Sequence, residues 1–466
     1  MKSNKLLRIA SLFMLLCLLA PLCVQNLNTA SASTYTDNMR IKVGLAFGST
    51  AAANAALFSD GGFVVINANE ETGEYTDIAS ISQTAINVKN SGGKAMIYSS
   101  SGALLYSGSE TLYLRSGNGH INYNSHSYLE IMKLYCKDGL LRVINIISLE
   151  NYIKGVLPRE IYPSWPDEAL KTAAIVARSF VISSLKGKHK SYDVDVCTTT
   201  CCQVFGGNGS NEHPRTNAAV DATRNIVLAY EDKVALTVYT SCCGDSTESA
   251  AGAWGGSEAR YPYLCGVQTP FETPEEYPNG KWSYTFTPAE LKDYLNTKSA
   301  YAGKLTGEII SVECEYADTG YVRKLTVTDS YGNAVSASTS DGVRNMLWKY
   351  LKSAKFTVTP HFYEDGSTVS VLAADGIQQR EAVPYGAYVL RAESDVPVPL
   401  YENYIPLYYT IDGTGYGHGV GLSQFGAMTL AKNGKTHDEI LAIYFPGTYL
   451  TSLGALGLLP GLGEME

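Results

Sequence analysis

The chain has 466 residues, enough for two or three domains, and with 45% apolar and 17% charged residues it is globular rather than disordered. Its net charge is −9, and −12 once residues 1–32, which hold three cations and no anions, are set aside. An acidic chain of this kind is a poor partner for nucleic acid, and bulk charge does not hold it to an anionic polymer. Any grip on such a polymer has to come from a shaped cleft.

The first stretch reads as a targeting segment. Lys2, Lys5 and Arg8 form a basic start, residues 9–24 an apolar run, and Ala30-Ser31-Ala32 a cleavage site. A signal peptide over 1–32 predicts an exported protein, lying outside the cell in the wall or on the outer face of the membrane. An uncleaved anchor is the alternative, because the apolar run is nearly long enough to span. Cys23 follows the bulky Leu22, which argues against a lipid anchor.

Residues 33–147 alternate apolar and polar positions between glycine-rich turns and predict a β-rich region without an acid–base constellation of its own. Residues 148–157 predict a short helix. A long helix follows, with Pro166, Asp167 and Glu168 suited to its first turn and Ala169, Leu170, Ala173, Ala174, Ala177, Phe180 and Val181 at helical spacing. Glu160 stands between Pro158 and Pro163, on what reads as a stiff loop beside that helix. A carboxylate held there can be desolvated and aimed, as a general acid requires. A solvated loop glutamate fits the same spacing.

Eight cysteines lie outside the signal, seven of them beyond the long helix, including Cys197, Cys201-Cys202 and Cys242-Cys243. In an exported chain this suits either disulfides or a metal site. Residues 239–249 place Tyr239, Ser241 and Glu248 at and after the end of a strand. Residues 356–411 read as a β-rich insertion, and residues 413–427 as a glycine-rich loop leading into a helix capped by Ser423. Glycines at alternate positions would let backbone approach a ligand, with His418 the one titratable group among them. Thr436 and Glu439 form a capping box for a last helix. The pattern is α+β: long helices carry the active-site region, with β-rich segments before and after. The domains expected are 33–147, 148–450 with the insertion at about 356–411, and a tail over 451–466.

Five stretches in order are similar to the stage II sporulation protein D family, also called the amidase-enhancer family. They are Leu149-Glu150-x-Tyr152-x-Lys154-Gly155-Val156-x-Pro158-x-Glu160, Ala169-Leu170-Lys171-x-x-Ala174-x-x-Ala177-Arg178-Ser179, and Cys202-Gln203-Val204-Phe205. Ser241-x-Cys243-Gly244-x-x-Thr247-Glu248-Ser249 and Gly415-x-Gly417-His418-Gly419-Val420-Gly421-Leu422-Ser423-Gln424-x-Gly426-Ala427 complete the set. The resemblance implies a lytic transglycosylase acting on peptidoglycan glycan strands, with Glu160 as its acid and base and no cofactor required for the chemistry. It implies a substrate-facing set of Arg178, Ser179, Gln203, Tyr239, Ser241, Glu248, His418, Ser423 and Gln424, although Arg178 better suits a structural ion pair and His418 equally suits a structural hydrogen bond. Some members bind zinc near the Cys-Gln motif, and His189, Cys197 and Cys202 occupy that region here. Cys201, and the loose spacing, depart from the pattern. The family's other name implies a second role, as a non-catalytic glycan-binding enhancer of a cell-wall amidase or a member of a sporulation remodelling complex.

Overall fold

The computed structural model describes residues 39–458 except 71–73, 186, 363–368, 373–378, 383–387, 391–396 and 400–404. The expected signal peptide, much of the 356–411 insertion and the end of the tail lie outside the described residues. Among those described, no helix is long and apolar enough to cross a membrane. The chain divides into two compact units. One comprises Met1–Tyr152 with His189–Thr198 and Gly207–Ser210, and the other Ile153–Lys188, Thr199–Gly206 and Asn211–Glu466.

The first unit is built on an 11-stranded sheet. Its centre is the antiparallel run Arg40–Ala46, Leu140–Ser148, His126–Lys137 and Thr111–Tyr123, and Val196–Cys197 adds in parallel to Arg40–Ala46. The alternation read from the sequence sets the register. Asp138-Gly139, both at positive φ, close the hairpin in which Lys137 faces Leu140, a turn whose twist matches the strands it joins. Val64, Ile66, Ile131, Ile144 and Ile146 then share one buried cluster. Glu130 ties down the start of the next helix. Its Oε1 accepts from Ser148 N–H (3.0 Å), Ser148 Oγ (2.7 Å) and Asn151 Nδ2 (2.9 Å), and its Oε2 pairs with Arg40 at 2.8 Å.

The second unit is organised around the helix Asp167–Ser183, of which all but a few positions are buried. Its alanines let neighbours approach closely. Ile175 and Val176 join a core with Leu228, Val238, Val420, Leu422, Leu430, Ile440 and Phe445. The helix N-terminus has no side-chain cap, but Glu168 in its first turn accepts from Lys171 (2.7 Å) and from the backbone N–H of His437 (2.8 Å) and meets His437 Nδ1 (2.7 Å). These partners pull its pKa down to about 2 against the opposing effect of burial. A second core, around Trp282, Phe286, Leu291, Leu325, Val327, Phe356 and Ile411, joins the sheet of Lys281–Phe286, Tyr408–Thr414 and Phe356–His361 to the meander Ile309–Tyr316, Val322–Asp329 and Ala334–Ser338. Strand Tyr449–Ser452 pairs with Ile226–Tyr230.

The chain is therefore mixed α and β, with more strand than its sequence suggests. The expectation of long helices carrying the site is corrected: among the described residues the helices run from five to seventeen residues, and only Asp167–Ser183 is long. The expected loop around Glu160 is corrected as well. Helix Leu149–Glu160 continues through Pro158, so that Glu160 is its last residue. A proline inside a helix disturbs the carbonyls of the preceding turn. One of these, Gly155 O, accepts from Gly206 N–H at 3.2 Å and Asn211 Nδ2 at 2.9 Å, so the turn holds together.

Candidate active site

Glu160 opens into a cleft of about 310 Å³. Arg159, Tyr162, Trp165, Ser241, Tyr416 and Gln424 also line it, and Glu160 is the only carboxylate among its described lining residues. One wall is aromatic. Trp165 meets Phe425 edge-on at 4.9 Å and Tyr162 at 5.4 Å, and Phe425 stacks on Tyr277 at 4.7 Å. Trp165 and Tyr162 thus form the apolar surround that a raised carboxyl pKa needs.

The carboxyl group is held on both sides. Its Oε1 accepts from Val204 N–H at 2.7 Å, and the Tyr239 hydroxyl bonds to it as well. Gln203 Nε2 reaches Tyr239 Oη (3.4 Å) and the Ala177 carbonyl (3.3 Å), and Gln424 Nε2 donates to the Glu160 carbonyl (2.8 Å). Desolvation outweighs the two hydrogen bonds and leaves the Glu160 pKa above that of an ordinary glutamate. The Tyr239 phenol, buried beside this carboxyl, stays protonated well above its usual range.

The expected substrate-facing residues fall into three groups. Ser241 and Gln424 line the cleft. Gln203 and Tyr239 stand behind Glu160 and orient it. Arg178, Ser179, Glu248, His418 and Ser423 have structural partners within the protein. Arg178 is wholly buried and donates to the Ile226 (3.0 Å) and Val220 (3.3 Å) carbonyls. Ser179 donates to Ile175 O and accepts from Leu228 N–H. Glu248, also wholly buried, pairs with Arg323 at 2.8 Å and caps Ser249 N–H at 2.6 Å. Ser423 is the buried N-cap of Gln424–Lys432, accepting from Gly426 N–H at 3.1 Å.

His418 is used twice. Its Nδ1 accepts from Val420 N–H at 3.0 Å, and its ring bonds the Tyr239 backbone carbonyl. Burial and the nearby Arg344 charge lower its pKa to about 4, so it is neutral at pH 7. The glycines around it admit backbone, as their spacing predicts, but the backbone is the protein's own. A Cβ at Gly421 would strike Val238 O, and one at Gly417 would strike Thr240 Oγ1. This closeness permits the parallel pairing of Leu422–Ser423 with Tyr239–Thr240.

Sequence reading missed Tyr277, Phe425 and Tyr416. Phe425 sits inside a quoted motif, at a position the motif leaves open. Tyr277 lies in an irregular stretch without periodicity, so no local signal marks it. Of the cysteines, Cys242 and Cys243 are buried thiols, and Cys243 Sγ donates to Glu272 Oε1 at 2.8 Å. Of the expected zinc ligands, His189 and Cys197 belong to the first unit and Cys202, with its neighbour Cys201, to the second.

Residues 137–230 match the family model described as stage II sporulation protein. The chain is 30% identical over 327 residues to the amidase enhancer of Bacillus subtilis, covering 64% of this chain and 40% of that protein. It is 25% identical over 327 residues to the stage II sporulation protein D of the same organism, covering 66% and 76%. With an uncharacterized protein of Brachyspira hyodysenteriae it shares 27% identity over 305 residues, covering 66% and 67%. The match thus spans well under half the length of the amidase enhancer and about three quarters of the sporulation protein. Its motifs and these relatives point the same way: the chain is similar to proteins named stage II sporulation protein D and amidase enhancer, and its residues 137–230 carry the family's stage II sporulation protein domain.

Proposed function

We propose that this protein is an exported peptidoglycan lytic transglycosylase that acts in cell-wall remodelling linked to sporulation. The observation that carries this reading is the lone carboxyl group of the cleft, half-buried with a raised pKa. A glycosidase that uses water normally needs two carboxyl groups, one as acid and one to activate water or attack. A transglycosylase that uses the sugar's own hydroxyl needs one.

Protonated Glu160 gives its proton to the glycosidic oxygen between N-acetylmuramic acid and N-acetylglucosamine, and the C1–O bond breaks. The resulting carboxylate takes the proton of the muramic 6-hydroxyl, whose oxygen closes on C1 as the 1,6-anhydro sugar. Val204 N–H and the Tyr239 hydroxyl stabilise the carboxylate between the two transfers. The internal hydroxyl has the advantage of proximity over water. Mass spectrometry of the products from purified glycan strands, denuded and peptide-bearing, tests this. The wild type releases anhydro ends and Glu160→Gln does not. Undiminished release by Glu160→Gln sinks the catalytic reading.

The 30% identity to a protein named amidase enhancer favours a second reading, a glycan-binding partner of a cell-wall amidase or of a sporulation remodelling complex. In that case Glu160→Gln stimulates the amidase as well as the wild type does.

The same family reading brings a zinc ion. One imidazole and three thiols along residues 189–202 suit the tetrahedral preference of structural zinc. His189, Cys197 and Cys202 would hold it, with Cys201 as the fourth ligand. Zinc held there supplies a cross-link for the 189–202 stretch. The proton transfers remain with Glu160.

A further inference from the structure

A second polar and aromatic cluster lies beyond the rim residue Tyr416, outside the Glu160 cleft. Helix Ala250–Trp254 packs on helix Ser340–Met346. Trp254 at the end of the first is 41% exposed, and Trp348, just after the second, is 58% exposed. The Arg344 guanidinium lies 4.9 Å from the Trp348 ring centre, and the His418 ring packs edge-on against Trp254 at 5.4 Å. Arg344 is close enough to both Tyr416 and His418 for its charge to act on each.

Two features single this cluster out. Arg344 is largely covered, yet its guanidinium makes no hydrogen bond among the described residues. Its Nε is ion-paired with Asp341 Oδ1 at 3.3 Å, outside hydrogen-bonding geometry, and its two terminal nitrogens have no acceptor among the described residues. A planar fork of donors left this way matches a carboxylate. The second feature is Thr339, which opens the Arg344 helix at φ 68°, ψ 149°, a region normally open only to glycine. A Cβ added at Gly255, which follows Trp254, would come within 3.7 Å of the Thr339 methyl group, so this turn lies beside the end of the first helix.

Exposed tryptophans present flat faces to the C–H bonds of a sugar ring, and the protein's overall negative charge supplies no attraction for an acidic one. We propose that Trp254, Trp348 and Arg344 form a further saccharide subsite, reached from the Glu160 cleft across Tyr416, that takes a sugar bearing a carboxylate. This rests on the glycan-strand reading above. In a glycan strand the carboxylate has two sources, the lactyl group of a bare muramic acid or the stem peptide attached to it. His418 supports the subsite from behind, by packing on Trp254.

The test uses the full chain carrying Glu160→Gln, so that strands bind without being consumed. Three probes are compared: denuded strands with free lactyl carboxylates, the same strands after conversion of those carboxylates to methylamides, and peptide-bearing strands. Arg344→Ala is expected to raise Kd about tenfold, roughly the worth of one charge-assisted contact, on a carboxylate-bearing probe and to leave the methylamide strands unchanged. A loss confined to denuded strands assigns the lactyl group, and a loss confined to peptide-bearing strands assigns the stem peptide. Trp348→Ala, at an exposed position that folding tolerates, weakens all three probes. Equal Kd values for Arg344→Ala and its parent on every strand overturn the proposal, as does an equal loss on the methylamide strands. Arg344→Lys, which keeps the charge but loses the fork and the stacking, recovers only part of the affinity. Release of anhydro ends by the Glu160→Gln chain would sink the catalytic reading and leave this one standing, whereas unchanged binding by Arg344→Ala would sink this one alone.

Discussion

Removing one hydroxyl group tests how Glu160 is tuned. In Tyr239→Phe the ring remains and only the bond to the carboxyl group is lost. That bond favours the charged carboxylate, so it holds the Glu160 pKa down against desolvation, which is the larger effect. Without it the pKa rises further. A hydrogen bond to a charged group is worth about 1.5–3 kcal/mol, so its loss is large enough to read in a pH profile. Val204 N–H still donates at 2.7 Å, which favours the lower end of that range. Gln203 loses a long 3.4 Å contact and keeps the Ala177 carbonyl, so the site keeps its shape. The assay is the pH dependence of anhydro-sugar release. For an enzyme that needs Glu160 protonated, the basic limb of the profile moves to higher pH, while the rate at the acid plateau falls because the carboxylate left after proton transfer is less stable. A basic limb that stays in place, or moves to lower pH, refutes the assignment of Tyr239 as the group that tunes Glu160.

Three further outcomes follow from the same geometry. Arg178→Ala leaves the Ile226 and Val220 carbonyls without their donors and opens a buried space; urea unfolding should show a loss of about 3–5 kcal/mol, and unchanged stability with a raised KM would return Arg178 to the substrate. His418 has a folded-state pKa near 4 against about 6.5 unfolded, so the unfolded chain takes up its proton first: its contribution is complete above pH 6.5 and is lost as pH falls towards 4, up to about 3 kcal/mol, and the unfolding free energy of His418→Asn should be flatter across that window. Metal analysis of the purified chain should find one zinc per molecule, reduced in Cys197→Ser and Cys202→Ser; Cys201→Ser lowers affinity as well where Cys201 is the fourth ligand, and leaves it unchanged where water takes that place.

What could be read from the sequence was local. The acidic first turn at Asp167, the cap at Ser423 and the box of Thr436 and Glu439 each act over four residues or fewer, and each forms as its spacing predicts. Glu160 was found, but its setting was misread, because Pro158 ends a helix on local grounds while donors from Gly206 and Asn211 repair it from outside. The aromatic wall was beyond local reading: Tyr277 and Phe425 stack across a separation of 148 residues, and no periodicity joins them. The glycine-rich loop shows the same limit in a sharper form. Its alternation announces a close approach but does not say to what. The partner is strand Tyr239–Thr240, to which the loop is pinned by the hydrogen bond of the His418 ring to the Tyr239 backbone, while the other ring nitrogen accepts from Val420 within the loop. Of the groups in that contact, Tyr239 is the one that reaches Glu160. His418 and the glycines therefore act on the carboxyl group only through the position of Tyr239, so their substitution should move the same pH limb that Tyr239→Phe moves, and combining either with Tyr239→Phe should move it no further.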